Sequence, residues 1–400
     1  MHNIVILGGN FAGVSTAHYL LRHVIPPLHS TNGGRSDYKV TLVSPSDHTF
    51  FMIAAPRALI SAELVPLEKP FGSIPDAFCN YKTSEFKFVQ GEAIKVPEDE
   101  KVVDVRLTRS SANVTIRYDL LVIATGTTSP SPLWTLHGHY GNTAAAFEGL
   151  HERLPKAKTI LIVGGGPTGV EVAGEIGHHY KGKDITLLSG GSRLLPRLKH
   201  IGVGKAAERQ LKVLNVKIIH NTKAISRTEL ANGQVSVNLS DDGLRTFDLY
   251  IDATSGAPNT KFIPATWLND TKHVATDANT LRATKSPPGV YSIGDVSSFS
   301  KGSAIDAIYP IPALGYSIWS DLCESVNRGK GGLAGTAILK EEKYKQIGSD
   351  VQFVPIGPEG GVGVAFGWQV PSCIVSLLKS RTFFMDKAPK LATGEDFVKP

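Results

Sequence analysis

Residues Thr159–Ile176 read TILIVGGGPTGVEVAGEI. Ile160 to Val163 form a short apolar β-run, which leads directly into Gly164-Gly165-Gly166-Pro167-Thr168-Gly169 and then into Val170, Glu171, Val172 and Ala173. That order predicts a buried parallel strand, a tight turn and the start of a helix, with glycines at the GxGxxG spacing. Gly164 permits the turn, Gly166 lets backbone approach a pyrophosphate, and Gly169 lets helix and strand pack closely. The helix start, with Pro167 and Thr168 in its first turn, offers free N–H groups and partial positive charge to phosphate. A second unit of the same kind opens the chain. Residues 3–22, NIVILGGNFAGVSTAHYLLR, repeat strand, glycine turn and helix, and Gly8, Gly9, Asn10, Phe11, Ala12 and Gly13 form the loop. Asn10 stands where the middle glycine belongs, and asparagine tolerates a positive φ better than other side chains.

Working outward, each unit is followed by a second strand whose end would meet a ribose. The first is Tyr38–Val43, ending at Ser44, with Asp47 shortly after; the second is Asp184–Leu188, ending at Ser189 with Arg193 nearby. Neither carries the acid that favours an unphosphorylated ribose, so Ser189 and Arg193 leave NADH and NADPH both open. Two echoing segments, YDLLVIATG ending at Thr125-Gly126 and FDLYIDATSG ending at Gly256, complete the units and mark an internal repeat. Between the units, residues Thr127 to Pro132 read as a linker, and Pro26, Pro27, Gly33 and Gly34 mark a surface loop. A strand ending at Ala93 precedes a hairpin over Val102–Leu107 and Val114–Tyr118. Gly289–Asp295, GVYSIGD, is an apolar strand that places the Asp295 carboxylate at a sheet edge, where it can accept from a ribityl hydroxyl. A helix is expected from Ile311, after Tyr309-Pro310, its N-terminus facing a reduced flavin. Arg57, the one cation in HTFFMIAAPRALI, is read as either a solvated arginine or a neighbour of the flavin or its pyrophosphate.

Composition narrows the class. At 400 residues, 42% hydrophobic and 20% charged, the chain is large enough for two to three ordinary globular domains. A net charge of +6 is dispersed, without basic runs, so nucleic-acid binding is disfavoured. Cys79, Cys323 and Cys373 are far apart, with neither a disulfide framework nor metal spacing, and point to a reducing compartment. The first strand starts almost at once and His2 follows Met1, so no cleavable signal or N-myristoylation is expected; the reading is cytoplasmic, or the cytosolic face of a membrane. Gly360 to Leu378 is uncharged but carries four glycines and Pro371, which argues against a spanning helix. It is read as strand and helix packed on the flavin domain. The alternative is a surface dipping into a membrane interface, with Lys379, Arg381, Lys387 and Lys390 at headgroup level.

On ILGGNFAG, VSPSDHTFFMIAAPRAL, VIATG, IVGGGPTGVEVAGEI, VYSIGD and LLKSRTFFMDKAPK, the chain resembles the apoptosis-inducing-factor-like group, ferroptosis suppressors included, of the pyridine-nucleotide oxidoreductase superfamily. The resemblance implies an α/β fold of two Rossmann-like domains, the second inserted in the first, plus a small C-terminal α+β region. FAD would be held by residues 1–126 and 253–330, NAD(P)H by 127–252, and 331–400 would form the C-terminal domain. The FAD contacts would include Gly8 to Gly13, Ser44, Arg57, Ala93, Thr125, Gly126, Asp295, Pro310 and Ile311. The second loop would hold NADH or NADPH, with Glu171 near nicotinamide and flavin and Glu175 toward the helix–sheet packing or solvent. With no CxxxxC pair after the first loop, disulfide reductase chemistry is excluded. The activity expected is transfer of hydride from NAD(P)H to flavin N5, then of electrons to a hydrophobic acceptor of quinone type. The rivals are an oxygen-using flavin oxidase or monooxygenase, and a redox-signalling or DNA-binding protein.

Overall fold

A computed structural model describes residues 2–31, 38–327 and 339–397. Gly33, Gly34 and the expected boundary at residue 330 fall outside the described residues. The larger sheet has the strand order Val290–Ser292, Leu120–Ile123, His2–Leu7, Tyr38–Ser44, Phe86–Lys95, Val102–Leu107, Asn113–Arg117. Its first five strands are parallel, and the last two turn back antiparallel. Ile4, Val5 and Ile6 are all fully buried, which accounts for the unbroken apolar run in the sequence: both faces of a parallel sheet are covered.

The second sheet is wholly parallel, in the order Val216–Ile219, Asp184–Leu188, Thr159–Val163, Leu249–Asp252. A small antiparallel sheet of Ala224–Glu229, Val235–Leu239 and Leu244–Phe247 sits beside it. This is the two-unit α/β architecture that the repeat predicts. The chain passes between the units twice, and the two passages pair antiparallel, Thr127–Thr128 against Ala257–Pro258. Asn259 locks them, its amide donating to the Thr125 carbonyl at 2.8 Å while the Thr125 hydroxyl donates back at 2.9 Å.

Two regions differ from expectation. Pro26 and Pro27 are helical, in Ile25–Thr31, which continues the first helix Phe11–Tyr19 through a widened π turn at Leu20–Val24. Inside a helix each proline removes one rung of the hydrogen-bond ladder, and the widened turn just before the pair is where that ladder is relaxed. In the C-terminal part, Gln352–Pro355, Gly361–Ala365 and Trp368–Val370 form an antiparallel sheet. That sheet packs on the second unit, not on the flavin domain. A side chain at Gly174 would begin 2.7 Å from Ile356 Cα, and Gln210 donates to the Gly361 carbonyl at 3.0 Å.

The chain beyond it returns to the first helix, where His18 is fully buried. Its ring stacks on Phe78 at 3.9 Å, and its nitrogens meet Tyr81 Oη at 3.1 Å and the Ala392 carbonyl at 2.9 Å. Arg22 donates to the carbonyls of Thr393 and Gly394, and His23 contacts that of Phe397. Gly394, at φ +64, lies flat on the His18 ring. Burial lowers the His18 pKa to about 4, against the raising effect of its bond to Ala392. The unfolded chain therefore binds a proton that the folded chain refuses, so the stability present above pH 6.5 is lost as pH falls toward 4. The loss is about 3 kcal/mol for the shift from 6.5 to about 4. Denaturant unfolding between these pH values should show a steeper decline in the unmodified protein than in His18→Gln; equal slopes would remove this assignment.

Candidate functional site

The two glycine loops are structural twins. Gly8 has φ +115, and a Cβ there would lie 2.2 Å from the Ala124 carbonyl oxygen; Gly164 has φ +127, with the Ala253 oxygen at 2.5 Å. At Gly13 and Gly169 a Cβ would lie 1.8 Å from the oxygens of Gly8 and Gly164, so helix and turn close up only without a side chain. A Cβ at Gly9 would lie 2.6 Å from Ser44 and one at Gly165 2.6 Å from Ser189, while Gly166 has open space where a side chain would begin. That space is the access a pyrophosphate requires, so the residues present fit a dinucleotide.

Asn10 keeps the first turn for a different reason from the one its residue type suggests. Its φ is −129, ordinary extended backbone, and the left-handed residue is Gly8. The Asn10 side chain instead accepts the Phe50 N–H at 3.1 Å, tying the loop to the strand His48–Phe50. Phe11 and Ala12 open the helix, and Gly294, at φ +78, packs on Ala12, which brings Asp295 to the first loop. Asp295 accepts the Ser300 hydroxyl at 2.9 Å on one oxygen, leaving the other without a hydrogen-bond partner among the described residues. Burial raises its pKa and the Ser300 bond opposes the rise. Gly126, at φ +63, has no atom where a side chain would begin, and the helix Ile311–Asn327 starts directly after Pro310.

Other candidates are already engaged. The Ser44 hydroxyl accepts the Ser46 N–H at 3.3 Å, and the Ser189 hydroxyl faces the carbonyls of Gly191 and Arg193 at 3.1 and 3.0 Å. Arg193 folds onto the carbonyls of Pro196 and Leu198, both at 2.8 Å. Ala93 is not at a strand end: the strand continues to Lys95, and Ala93 lies in its antiparallel part, opposite Val105.

Arg57 is neither solvated nor turned to the phosphate loops. It is buried, forms a two-point pair with Glu175, and donates to the Ser380 carbonyl at 2.8 Å. Its guanidinium carbon stands 5.0 Å from the centre of the Phe383 ring. Glu175 is correspondingly paired, rather than set against the sheet or in solvent. One turn earlier on the same helix face, Glu171 accepts from Lys379 Nζ at 2.6 Å, and Lys379 also reaches the Phe353 carbonyl at 3.1 Å. Burial raises the Glu171 pKa, opposed by Lys379 and assisted by Glu175. Lys379 is thus a largely buried partner of Glu171 and not a headgroup-level cation. The pairing of residues 171 with 379 and 57 with 175 is absent from any sequence motif. Its only signal is that Lys379 ends a long uncharged run.

The family whose members are described as pyridine nucleotide-disulphide oxidoreductases matches residues 2–312. The chain belongs to this family. As a pyridine nucleotide-disulphide oxidoreductase it is a flavoprotein of FAD and NADH or NADPH. Among its relatives, oxidoreductase phnG of Penicillium herquei is 33% identical, over 99% of this chain and 97% of its own. Oxidoreductase ptaL of Pestalotiopsis fici is 34% identical over 98% and 99%. Apoptosis-inducing factor 1 of Saccharomyces cerevisiae and ferroptosis suppressor protein 1 of Xenopus laevis are each 24% identical, over 97% of this chain and 98% and 95% of their own. The fold is shared with a water-forming NADH oxidase from Lactobacillus brevis bound to NADH, at TM-score 0.69, 17% identity and coverage of 91% and 75%. It is shared too with an engineered water-forming NADPH oxidase bound to NADPH, at 0.64, 19%, 79% and 69%. A third such structure is the sulfide:quinone oxidoreductase of Aquifex aeolicus, at 0.67, 16%, 99% and 94%. Cys79, Cys323 and Cys373 are all free thiols in this member of the family.

Removing one member of the Arg57–Glu175 pair leaves the other charge buried. Glu175→Gln should lose about 3–5 kcal/mol in guanidinium unfolding, and Arg57→Met with Glu175→Leu should recover most of it. A loss within the roughly 0–1 kcal/mol of an exposed pair would contradict this.

Proposed function

We propose that the chain is an FAD-dependent NAD(P)H:acceptor oxidoreductase whose acceptor is a hydrophobic molecule of quinone type. The observation that carries the reading is the buried Lys379–Glu171 pair, set between the central loop's helix and an exposed apolar surface. Leu377 and Leu378 flank Lys379 in its turn and are 64% and 45% exposed. Ile374 in the preceding turn, and Phe366 and Trp368 at the hairpin tip, 70% and 81% exposed, extend the surface. Gly202 lies against Gln369, so Ile201, at 58%, joins it. Isolated exposed apolar residues are ordinary, but this many within the stretch 366–378 suit a site that meets an apolar molecule or lipid.

Bound FAD supplies the capacity to accept hydride and release electrons to a second substrate. The protein's part is to bind and orient. The first loop, Gly126 and Asp295 would hold FAD, and Gly164 to Gly169 would hold the nicotinamide dinucleotide. Glu171 fixes the Lys379 ammonium at the edge of the apolar surface, where it carries a proton beside the acceptor. Reduction of a quinone to a quinol consumes two electrons and two protons, so a proton-bearing group is needed there. A lipid-dissolved acceptor would bring the exposed surface into contact with a bilayer, aided by Arg381, Lys387 and Lys390. Among the described residues, no helix is long and apolar enough to cross a membrane.

The test is anaerobic. NADH or NADPH should bleach the flavin, and a short-chain quinone should restore its colour. Lys379→Gln should slow the quinone step about a hundredfold, with a smaller effect on bleaching. Colour restored by oxygen but not by quinone would replace this reading with that of an oxidase. Trp368→Ser combined with Leu377→Ser should abolish sedimentation with phosphatidylserine vesicles while leaving bleaching intact; retained sedimentation would exclude this surface as the membrane contact.

A further inference from the structure

We propose that the chain prefers NADPH to NADH, and that Lys223 with the loop Gly190–Ser192 receives the 2′-phosphate of the adenosine ribose. This rests on the reading that the central glycine loop binds the nicotinamide dinucleotide. The shared fold does not decide the matter, because one neighbour is bound to NADH and another to NADPH. The choice lies at the end of the strand Asp184–Leu188, the position beside the ribose in this architecture.

An acid there would accept the 2′-hydroxyl and repel a 2′-phosphate. This chain has Ser189, buried and turned toward the carbonyls of Gly191 and Arg193, and no carboxylate from Ser189 to Arg193. The cation that sequence proximity favours, Arg193, is turned inward, with Nη2 donating to the carbonyls of Pro196 and Leu198 and Nη1 buried. A different one takes its place. The segment after the strand Val216–Ile219 is stitched alongside the loop, with the Thr222 N–H donating to the Ser189 carbonyl at 3.2 Å and the Asn221 N–H to Gly191 at 3.0 Å. This lays the Lys223 side chain across Gly190, with Cγ and Cε 3.3 and 3.5 Å from where a Gly190 Cβ would begin. Lys223 is exposed, and its ammonium has no carboxylate partner among the described residues. Two acids near in the fold are engaged elsewhere, Glu208 with His220 at 3.2 Å and Asp241 with Arg245 at 2.9 Å.

The loop itself supplies donors. The backbone N–H groups of Gly190, Gly191 and Ser192 donate to no protein acceptor among the described residues, and Gly190 and Ser192 are exposed. Adjacent free N–H groups beside a cation form an anion site, and lysine serves a phosphate as a point charge. A ribose hydroxyl would leave the ammonium uncompensated; a 2′-phosphate would meet both the ammonium and the amides.

The test uses the FAD-loaded protein and two redox-inert fragments, 2′,5′-ADP and 5′-AMP, in calorimetric titrations. The first should bind about tenfold or more tightly than the second, at 1.4 kcal/mol for each factor of ten. Lys223→Ala should weaken 2′,5′-ADP about tenfold and leave 5′-AMP unchanged. Lys223→Arg should retain the difference, and a matching thermal midpoint should show both variants folded. Equal affinities for the two fragments in the unmodified protein, or equal weakening of both by Lys223→Ala, overturns the proposal. If neither fragment binds and neither nicotinamide bleaches the flavin, the nucleotide-binding reading has failed and takes this one with it.

Discussion

Two carboxylates one turn apart on a single helix hold three parts of this molecule together. Glu171 and Glu175 project from the helix Pro167–His179 of the second unit. Glu175 receives Arg57 from the first unit, and Glu171 receives Lys379 from the C-terminal turn. Arg57 also reaches the Ser380 carbonyl, and Phe383 lies near both cations, so the arrangement is one continuous cluster and not two separate pairs. Buried charges are costly to desolvate and tolerable only when well paired. The cluster therefore specifies how the units and the C-terminal segment dock far more than a surface of aliphatic contacts would.

The same helix begins at the central glycine loop, so the cluster also fixes where that loop sits. A helix packed so closely at Gly169 that a Cβ there would lie 1.8 Å from the Gly164 oxygen has little freedom to shift, and Glu171 stands within its first turns. Whatever approaches the open space at Gly166 is consequently at a defined distance from the Lys379–Glu171 pair. The C-terminal segment that supplies Lys379 also exposes leucine, phenylalanine and tryptophan. A polar, charged interior thus borders an apolar exterior at one turn of backbone, Ser376–Ser380. In the proposed reading this border would separate a water-soluble nucleotide from a hydrophobic partner.

The C-terminal segment belongs to both units. Its sheet rests on the second, at Gly174 and Gln210, and its last residues are held on the first by His18, Arg22 and His23. Together with the ribbon locked by Asn259, this joins the domains both at the crossing strands Thr127–Thr128 and Ala257–Pro258 and through the C-terminal segment.

Much of this architecture was legible in the sequence, because the signals that carry it are local. A strand, a glycine turn and a helix occupy adjacent residues, and their steric requirements at Gly8, Gly13, Gly164 and Gly169 are met within the repeat itself. Its duplication, the Gly-Asp turn at Asp295 and the missing redox disulfide followed in the same way. What only the tertiary structure decided depends on residues far apart in the chain. Arg57 was readable as a cation in an apolar stretch, but its partner lies 118 positions away, and that of Lys379 lies 208 away. Asn10 met expectation in keeping the turn, yet through a side-chain bond to Phe50 instead of a left-handed backbone. Arg193 and Lys223 are both cations near one strand end. Carbonyls within the loop's own turn occupy the first, while pairing of a neighbouring strand lays the second across the loop. Sequence periodicity reports which faces are buried; it does not report which charge is brought to meet which, because that is settled by the packing of elements against one another.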